Sequence, residues 1–270
     1  TRRSSDLKNG AKAIVQIHHG GAQALPELTP DGDVVAPSAI SLKSFGQQKE
    51  HDAREMTAEE IEQTIRDFGE ATRRAIEAGF DGVEIHGANH YLIHQFVSPY
   101  YNRRNDVWAD NYKFPVAVID EVVKAKKAHA NDDFIIGYRL SPEEAESPGI
   151  SMEITEELIH QIANKPLDYI HVSLMDVNSV TREGKYKGEN RLELIHQWIN
   201  GRMPLIGIGS VFTAEDALNA VENIGVEFVA LGREILLDYD FVAKIKEGRE
   251  DEIINAFDPN REDQHYLTPN

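Results

Sequence analysis

The sequence contains no cysteine in its 270 residues. Without thiols, the chain cannot form a disulfide framework, a thiolate metal site or a cysteine nucleophile. Cysteine-ligated iron–sulfur clusters are excluded for the same reason. A chain without cysteine suits a reducing compartment, and we therefore expect a cytoplasmic location.

Basic residues are scarce, with 28 Lys and Arg against 46 Asp and Glu and a net charge of -18. This balance argues against nucleic acid or an anionic membrane as a partner. No segment approaches the roughly 20 apolar residues of a transmembrane helix, and Thr1–Asn9 lacks the apolar core of a signal peptide. Because 41% of the residues are hydrophobic, the chain can bury a large core, and we expect a globular protein.

Short apolar strands alternate with helix-compatible segments along the whole chain. The strands are expected near residues 13, 83, 134, 169, 204 and 228. This order predicts a single α/β domain over residues 1–270 with a parallel sheet. Eight such units would close a barrel, whereas six leave the first and last strands with unpaired edges.

Several segment boundaries can also be predicted. Thr57 to Glu60 is a capping box that begins a helix, and further helices are expected at Thr155–Ala163 and Asp238–Gly248. Thr1 to Gly10 has the pattern of the end of a helix. Residues 25–55 are polar and proline-containing with little periodicity, and we expect an irregular excursion at the strand-end face.

Polar residues gather directly after the apolar strand Val83 to Ile85. His86, Asn89 and Tyr91 follow within six positions, so a loop must bring an imidazole, an amide and a phenol together. Two neutral donors can hold one carbonyl oxygen, and a phenol can supply a proton. The alternative is that His86 and Asn89 only cap a helix or satisfy loop backbone. Their position at the carboxyl end of a parallel strand favours a ligand site.

The last two predicted strands both end in a glycine beside a polar residue, Gly209 with Ser210 and Gly232 with Arg233. In parallel barrels the final two strands commonly form a phosphate site from backbone N–H groups. The alternative for each glycine is that it simply ends a strand. The repetition on consecutive strands favours the phosphate site.

Arg139 is a lone charge at the end of an apolar strand. Such a residue is either paired for structural reasons or contacts a bound anion or electron-rich ring. The histidines His18, His19, His86 and His171 raise the question of a metal. Because neighbouring residues on a strand face opposite sides, His18 and His19 cannot both face inward, and we predict no metal site.

The stretch VEIHGANHYLIHQFVSPYYNRRND, residues 83–106, resembles the signature of the old yellow enzyme family, the flavin-dependent ene-reductases and NADH:flavin oxidoreductases. The resemblance implies a TIM (β/α)8 barrel, N-terminally truncated so that about six βα units are present. It also implies FMN as cofactor, NADH or NADPH as reductant, and a small α,β-unsaturated carbonyl compound as substrate.

The resemblance assigns a role to several residues of this chain. His86 and Asn89 match the positions that hold the substrate carbonyl oxygen, and Tyr91 matches the residue that protonates the α carbon. Gln16 matches a contact to the pyrimidine edge of the flavin. Arg139 matches the arginine that stabilises the reduced flavin ring.

The phosphate of FMN is assigned by the same resemblance to the ends of the last two strands. The matching residues are Gly209, Ser210, Gly232 and Arg233. Two departures from the family pattern stand out: Ala22 replaces an arginine, and residues 108–111 replace a Tyr-Gly-Gly-Ser turn. We therefore expect one flavin contact to be lost and the lid over the site to differ.

Two other functions remain open at this point. One is a phosphate-handling barrel isomerase or aldolase without flavin, although no strand-end lysine or paired carboxylates stand out for that chemistry. The other is a non-catalytic fragment or binding module. The residues alone do not identify the natural substrate, the choice between NADH and NADPH, or the oligomeric state. A homo-oligomer is one option for the oligomeric state.

Overall fold

A computed structural model describes residues 10–43, 46 and 49–258. The helix end predicted at Thr1 to Gly10 lies outside the described residues except for Gly10. The strands of the described residues are β1 (Ile14–Ile17), β2 (Val35–Ala36), β3 (Ile40–Leu42), β4 (His51–Glu55), β5 (Gly82–Gly87), β6 (Ile135–Leu140), β7 (Tyr169–Val172), β8 (Leu205–Ile208) and β9 (Phe228–Ala230). The α-helices are α1 (Ala58–Glu77), α2 (Leu92–Val97), α3 (Lys113–His129), α4 (Met152–Ile162), α5 (Arg191–Ile199), α6 (Ala214–Asn219), α7 (Arg233–Leu237) and α8 (Phe241–Lys246).

The main sheet has six strands in the order β1-β5-β6-β7-β8-β9. All of its pairings are parallel, which confirms the predicted α/β alternation and each of the expected strands. Strands β1 and β9 are the edges, and within the described residues they do not pair with each other. The six strands therefore do not close a barrel on their own, and the predicted truncation stays a prediction.

One face of this sheet, the helix face, is apolar and buried because β-branched and aromatic residues occupy every second position. Its fully buried strand residues are Val83, Ile85, Ile136, Tyr138, Leu140, Ile170, Val172 and Leu205. They form one core cluster with the apolar sides of the helices, for example with Phe68 of α1 and Ile119 of α3. Burial of this cluster is the main favourable contribution to folding.

The opposite side, the open face, carries the alternate residues of the same strands. Strand register aligns two rows of side chains across it. The lower row contains Gln16, Glu84, Gly137 and Tyr169, and the upper row contains His86, Arg139 and His171. Gln16 is exposed, and Phe228 on β9 is 56% exposed. The open face therefore combines polar groups with partly exposed apolar side chains.

The segment predicted as an irregular excursion contains a small sheet, in the order β2-β4-β3. The prediction missed it because β2 and β3 are only two and three residues long and β4 is largely polar, so the segment gives little periodicity. Strand β4 pairs in parallel with β2 and antiparallel with β3. A separate apolar cluster stabilises this sheet, formed by Ala22, Val34, Ala36 and Ala53.

Two arginines after α2 fix the small sheet to the rest of the molecule. The buried guanidinium of Arg104 donates from Nη1 to the carbonyl oxygens of Pro37 and Met56, at 2.8 and 2.7 Å. The backbone nitrogen of Arg103 donates to Ser38 Oγ at 3.0 Å. These bonds tie residues 37–56 to the chain that follows the α2 helix.

The helix boundaries agree with the sequence at the start of α1 and differ at α4 and α8. The Thr57 and Glu60 capping box is present as predicted. Helix α4 begins after Ser151, earlier than the predicted Thr155, because the Thr155 hydroxyl donates to Pro142 O instead of capping. The predicted closing helix is shorter, at Phe241–Lys246. Among the described residues, none of the helices is long and apolar enough to cross a lipid bilayer.

Candidate active site

His86 lies at the carboxyl end of β5 on the open face, and it is almost fully buried. Its Nδ1 atom has no hydrogen-bond partner among the described residues. Burial lowers the pKa of the imidazole to about 4, and the charges of Arg139 and His18 act in the same direction. The ring is therefore neutral at neutral pH, and its uncommitted nitrogen can contact a ligand.

Asn89 follows β5 in the left-handed conformation, with φ of 57°, which asparagine tolerates better than most residues. Its Oδ1 accepts hydrogen bonds from Ser173 Oγ at 2.9 Å and Ser141 Oγ at 3.3 Å. These hydroxyls follow the neighbouring strands β7 and β6. Because the carbonyl end of the amide is held, its NH2 group is the end available to donate to a ligand.

Tyr91 directly precedes α2 and places its ring against His86, with ring centroids 5.1 Å apart. His18, from the end of β1, completes the group at 4.9 Å from Tyr91 and 6.0 Å from His86. His19 instead accepts a hydrogen bond from Gly21 N. Of the two adjacent histidines, His18 is therefore the one that lies with the predicted site residues.

Arg139 stands beside His86 in the strand register. Its Nη2 donates to Ser173 Oγ at 3.0 Å, the same hydroxyl that holds Asn89, while its buried Nε has no partner among the described residues. Burial lowers the pKa of Arg139, and Glu84 opposes that shift. The guanidinium stays charged because an arginine pKa begins so high. It is a cation with an unused donor on the open face.

Glu84 is a site residue that the sequence analysis missed. Its buried carboxylate accepts from Tyr169 at 3.0 Å, from His171 Nδ1 at 3.0 Å and from Gln16 Nε2. The sequence could have indicated Glu84, because a residue two positions before His86 lies on the same face of the strand. The Glu84 carboxylate therefore holds Gln16 and Tyr169 of the lower row in place. Because the Gln16 amide nitrogen is used in this contact, the Gln16 amide oxygen is the end available to a ligand.

One cavity of about 170 Å³ lies between the ends of β8 and β9. It is lined by all four residues predicted to bind the phosphate, Gly209, Ser210, Gly232 and Arg233. A side chain at Gly232 would meet nothing within 4 Å, so space is open there. The Arg233 guanidinium lies 5.0 Å above the Phe212 ring, and no carboxylate of the described residues forms an ion pair with it. This cation is available for an anionic ligand.

Glu234 also lines this cavity, and the sequence analysis did not single it out. Its carboxyl group is buried and neither oxygen has a hydrogen-bond partner among the described residues. Burial raises its pKa to about 7, and Asp238 adds to the rise. Part of the population is therefore neutral at neutral pH, which lessens the repulsion of a phosphate.

Residues 7–252 match the profile of the family described as NADH:flavin oxidoreductase / NADH oxidase. The chain belongs to this family. A probable NADH-dependent flavin oxidoreductase of Bacillus subtilis is 49% identical over 262 residues, covering 96% of this chain and 69% of that protein. The NADH:fumarate oxidoreductase of Klebsiella pneumoniae is 41% identical over 254 residues, covering 90% of this chain and 27% of the relative.

Solved structures with the same fold align with most of this chain. Morphinone reductase in complex with tetrahydroNAD aligns over 93% of this chain and 69% of its own, with a TM-score of 0.72 and 24% identity. The old yellow enzyme homologue from Zymomonas mobilis covers 88% and 68%, with a TM-score of 0.71 and 22% identity. These similarities show a TIM-barrel-type fold.

The NADH:flavin oxidoreductase family consists of enzymes that use FMN with NADH or NADPH as reductant. The residues of this chain fit such a cofactor. On the open face, buried nitrogens of His86, Arg139 and His171 have no partner among the described residues. At the strand ends, the cavity beside Arg233 offers open space and a cation that no carboxylate of the described residues pairs with. Unsatisfied buried donors of this kind are expected where a polar ligand binds.

Proposed function

We propose that this protein is an FMN-dependent reductase of C=C bonds conjugated to a carbonyl group, with NADH or NADPH as reductant. The observation that carries the proposal is the combination at the end of β5. His86 is neutral and has an unused nitrogen, Asn89 has its NH2 group directed outward by two serine hydroxyls, and the Tyr91 ring packs against His86.

The site suits a reaction in which negative charge develops on a carbonyl oxygen. His86 and the Asn89 NH2 group hold that oxygen, and because both are neutral they favour the charge as it appears. Bound FMN would supply the hydride for the β carbon. Tyr91 then donates its phenolic proton to the α carbon, which completes the saturated product.

The cofactor is assigned to residues that lie on the open face and at the strand ends. Gln16 and Arg139 are proposed to contact the ring system, Gln16 through its amide oxygen and Arg139 through its unused Nε. Gly209, Ser210, Gly232 and Arg233 are proposed to hold the phosphate. Arginine is suited to this role because its donors match phosphate oxygens.

The substrate class is an unsaturated carbonyl compound in the broad sense. The relative from Klebsiella pneumoniae is named for fumarate, an unsaturated dicarboxylic acid. Fumarate and an enone both contain the group that the site is proposed to bind, a C=C bond conjugated to a carboxyl or carbonyl carbon. Homo-oligomerisation and a cytoplasmic location stay predictions. Family membership disfavours the isomerase or aldolase without flavin.

The test begins with the protein itself. We expect the purified chain to bind FMN, to absorb visible light and to oxidise NADH or NADPH when 2-cyclohexen-1-one or fumarate is present. His86→Ala and Asn89→Ala should each lower turnover on the order of 100-fold, the usual effect of losing one oxyanion donor. His129→Ala, an exposed change on α3, is the matched control.

The outcomes separate the alternatives. Flavin binding with wild-type turnover in both His86→Ala and Asn89→Ala would contradict the assigned roles. A chain that binds no FMN and reduces neither substrate would instead support the non-catalytic fragment.

A further inference from the structure

A second cluster of chemically active side chains lies beside the active-site loop and is not used by the proposed reaction. We name it the His–His–Glu cluster, formed by His90, His94 and Glu144. One nitrogen of each histidine and one carboxylate oxygen all lie within 4.8 Å of one another. The side chains of His94 and Glu144 are 0% exposed, and that of His90 is 24% exposed.

The fold brings these residues together from two segments. His90 lies in the loop after β5 and His94 in the first turn of α2, and the left-handed backbone of His90 brings its ring beside that of His94. Glu144 lies in the loop between β6 and α4, which follows the strand next to β5. The imidazole rings of the two histidines are 4.6 Å apart.

The Glu144 carboxylate is oriented by its surroundings. Its Oε1 accepts from the backbone nitrogen of Ile150 at 2.8 Å and from Ser98 Oγ. Its Oε2 faces His94 Nε2 at 2.7 Å and His90 Nδ1 at 3.6 Å. One oxygen is therefore anchored, while the other meets two imidazole nitrogens, which is how outer hydrogen bonds orient a metal-binding carboxylate.

A His–Glu hydrogen bond alone does not account for all the polar atoms at this place. The His94 Nδ1 atom is buried without a partner among the described residues, and so is the Oε2 atom of Glu146. The Glu146 carboxylate lies close enough to His90 and Tyr101 to interact electrostatically with both. A second carboxylate therefore lies near the cluster, and the site combines nitrogen ligands with negative charge.

We propose that His90 Nδ1, His94 Nε2 and Glu144 Oε2 bind a divalent transition-metal ion, for which Zn2+ is the best match. Two imidazoles and a carboxylate are ligands that Zn2+ favours, and these three ligands come from protein elements that are already in contact. His90 lies between Asn89 and Tyr91 in sequence, so the ion would fix the loop that presents both. The role is structural, and no redox change of the ion is involved.

This site differs from the metal hypothesis considered from the sequence. That hypothesis concerned His18, His19, His86 and His171, for which we predicted no metal. The ligands proposed here are different residues. One of them, Glu144, lies 50 positions from His94 in the sequence.

The test is zinc binding by tag-free protein stripped with EDTA, measured by isothermal titration calorimetry with ZnCl2. We expect one Zn2+ per chain with a Kd of about 1 µM or tighter. His94→Asn and Glu144→Gln should each weaken binding by about 100-fold or more. Replacement of Zn2+ by Co2+ should give visible absorption bands in the wild type, and these should be lost in both variants.

Two further variants keep the result interpretable if the buried changes disturb folding. His90→Gly removes a partly exposed ligand and suits the left-handed backbone at φ of 59°, so it should fold normally and still lose zinc affinity. His160→Asn, an exposed change on α4, should bind zinc as the wild type does. Absent zinc binding in the wild type, or equal affinity in His90→Gly and the wild type, would overturn the proposal.

Discussion

The helix face and the open face of the main sheet carry alternate residues of the same strands, yet their physical properties differ. On β6, Ile136 and Leu140 are fully buried against helices, whereas Arg139 keeps a buried nitrogen without a partner among the described residues. On β5, Ile85 belongs to the core, while His86 on the other face has an unused nitrogen. The difference indicates that the helix face provides stability, and that the open face gives up some stability to keep its donors available.

The largest expected effect tests the helix face. Ile136→Ala should lower the free energy of unfolding by about 3 kcal/mol, because it removes a fully buried side chain and leaves a cavity. Ile135→Ala, the neighbouring change on the open face, should cost roughly 1 kcal/mol, because that side chain is only half-buried. Urea denaturation of both variants measures the contrast, and equal losses would contradict it.

The second prediction concerns Arg139 on the same strand, where we expect a substitution to weaken cofactor binding without lowering stability. Arg139→Met removes a charged donor, so we expect FMN affinity to fall about 10- to 100-fold, in line with hydrogen bonds to charged groups. The unfolding free energy of the flavin-free protein should stay the same or rise, since a buried unpaired donor disappears. Fluorescence titration of FMN and urea denaturation test the two parts. Unchanged FMN affinity would rule out the assigned contact.

A smaller effect should follow from the hydroxyl that joins Asn89 to Arg139. Ser173→Ala removes one hydrogen bond from each, so we expect kcat/KM to fall roughly fivefold, or about 1 kcal/mol. Ser179→Ala is the control, because its buried hydroxyl has no partner among the described residues. The same loss of kcat/KM in both variants would show that orientation of Asn89 is not the cause.

A further effect, on the pH dependence of stability, is expected at His86. The pKa of His86 is about 4 in the folded protein against an ordinary value of 6.5. The unfolded chain therefore binds more protons between these values, so the stability that depends on neutral His86 is present above pH 6.5 and is lost as the pH falls toward 4. Between about pH 7 and about pH 4.5, His86→Gln should lose less unfolding free energy than the wild type. Equal losses measured by urea denaturation would show that His86 is not buried as a neutral ring.

The strands could be predicted, and so could the position of His86, Asn89 and Tyr91 at the end of one of them, because these signals are local. The strand before His86 is a run of apolar residues that a glycine precedes, and His86, Asn89 and Tyr91 are neighbours in sequence. The orientation of Asn89 could not be predicted, because Ser173 reaches it from a strand 84 positions away. Such a contact depends on strand order and register, which the sequence pattern does not specify.

The same reason explains the other features that were missed. Glu84 looked like one polar residue in a strand, and its partners His171 and Tyr169 are distant in the chain. His90 and His94 had a visible spacing, but Glu144 lies 50 positions from His94. The small sheet was missed because β2 and β3 are too short, and β4 is too polar, to reveal a period of two.

The bonds from Arg103 and Arg104 to residues 37–56 have a consequence for motion. Parts of a protein that share buried hydrogen bonds open together, as one cooperative unit with one free energy of opening. Residues 37–39 therefore cannot move away without breaking the bonds that also hold the chain after α2. These two segments should exchange their amide hydrogens at matching rates, because they open as one cooperative unit.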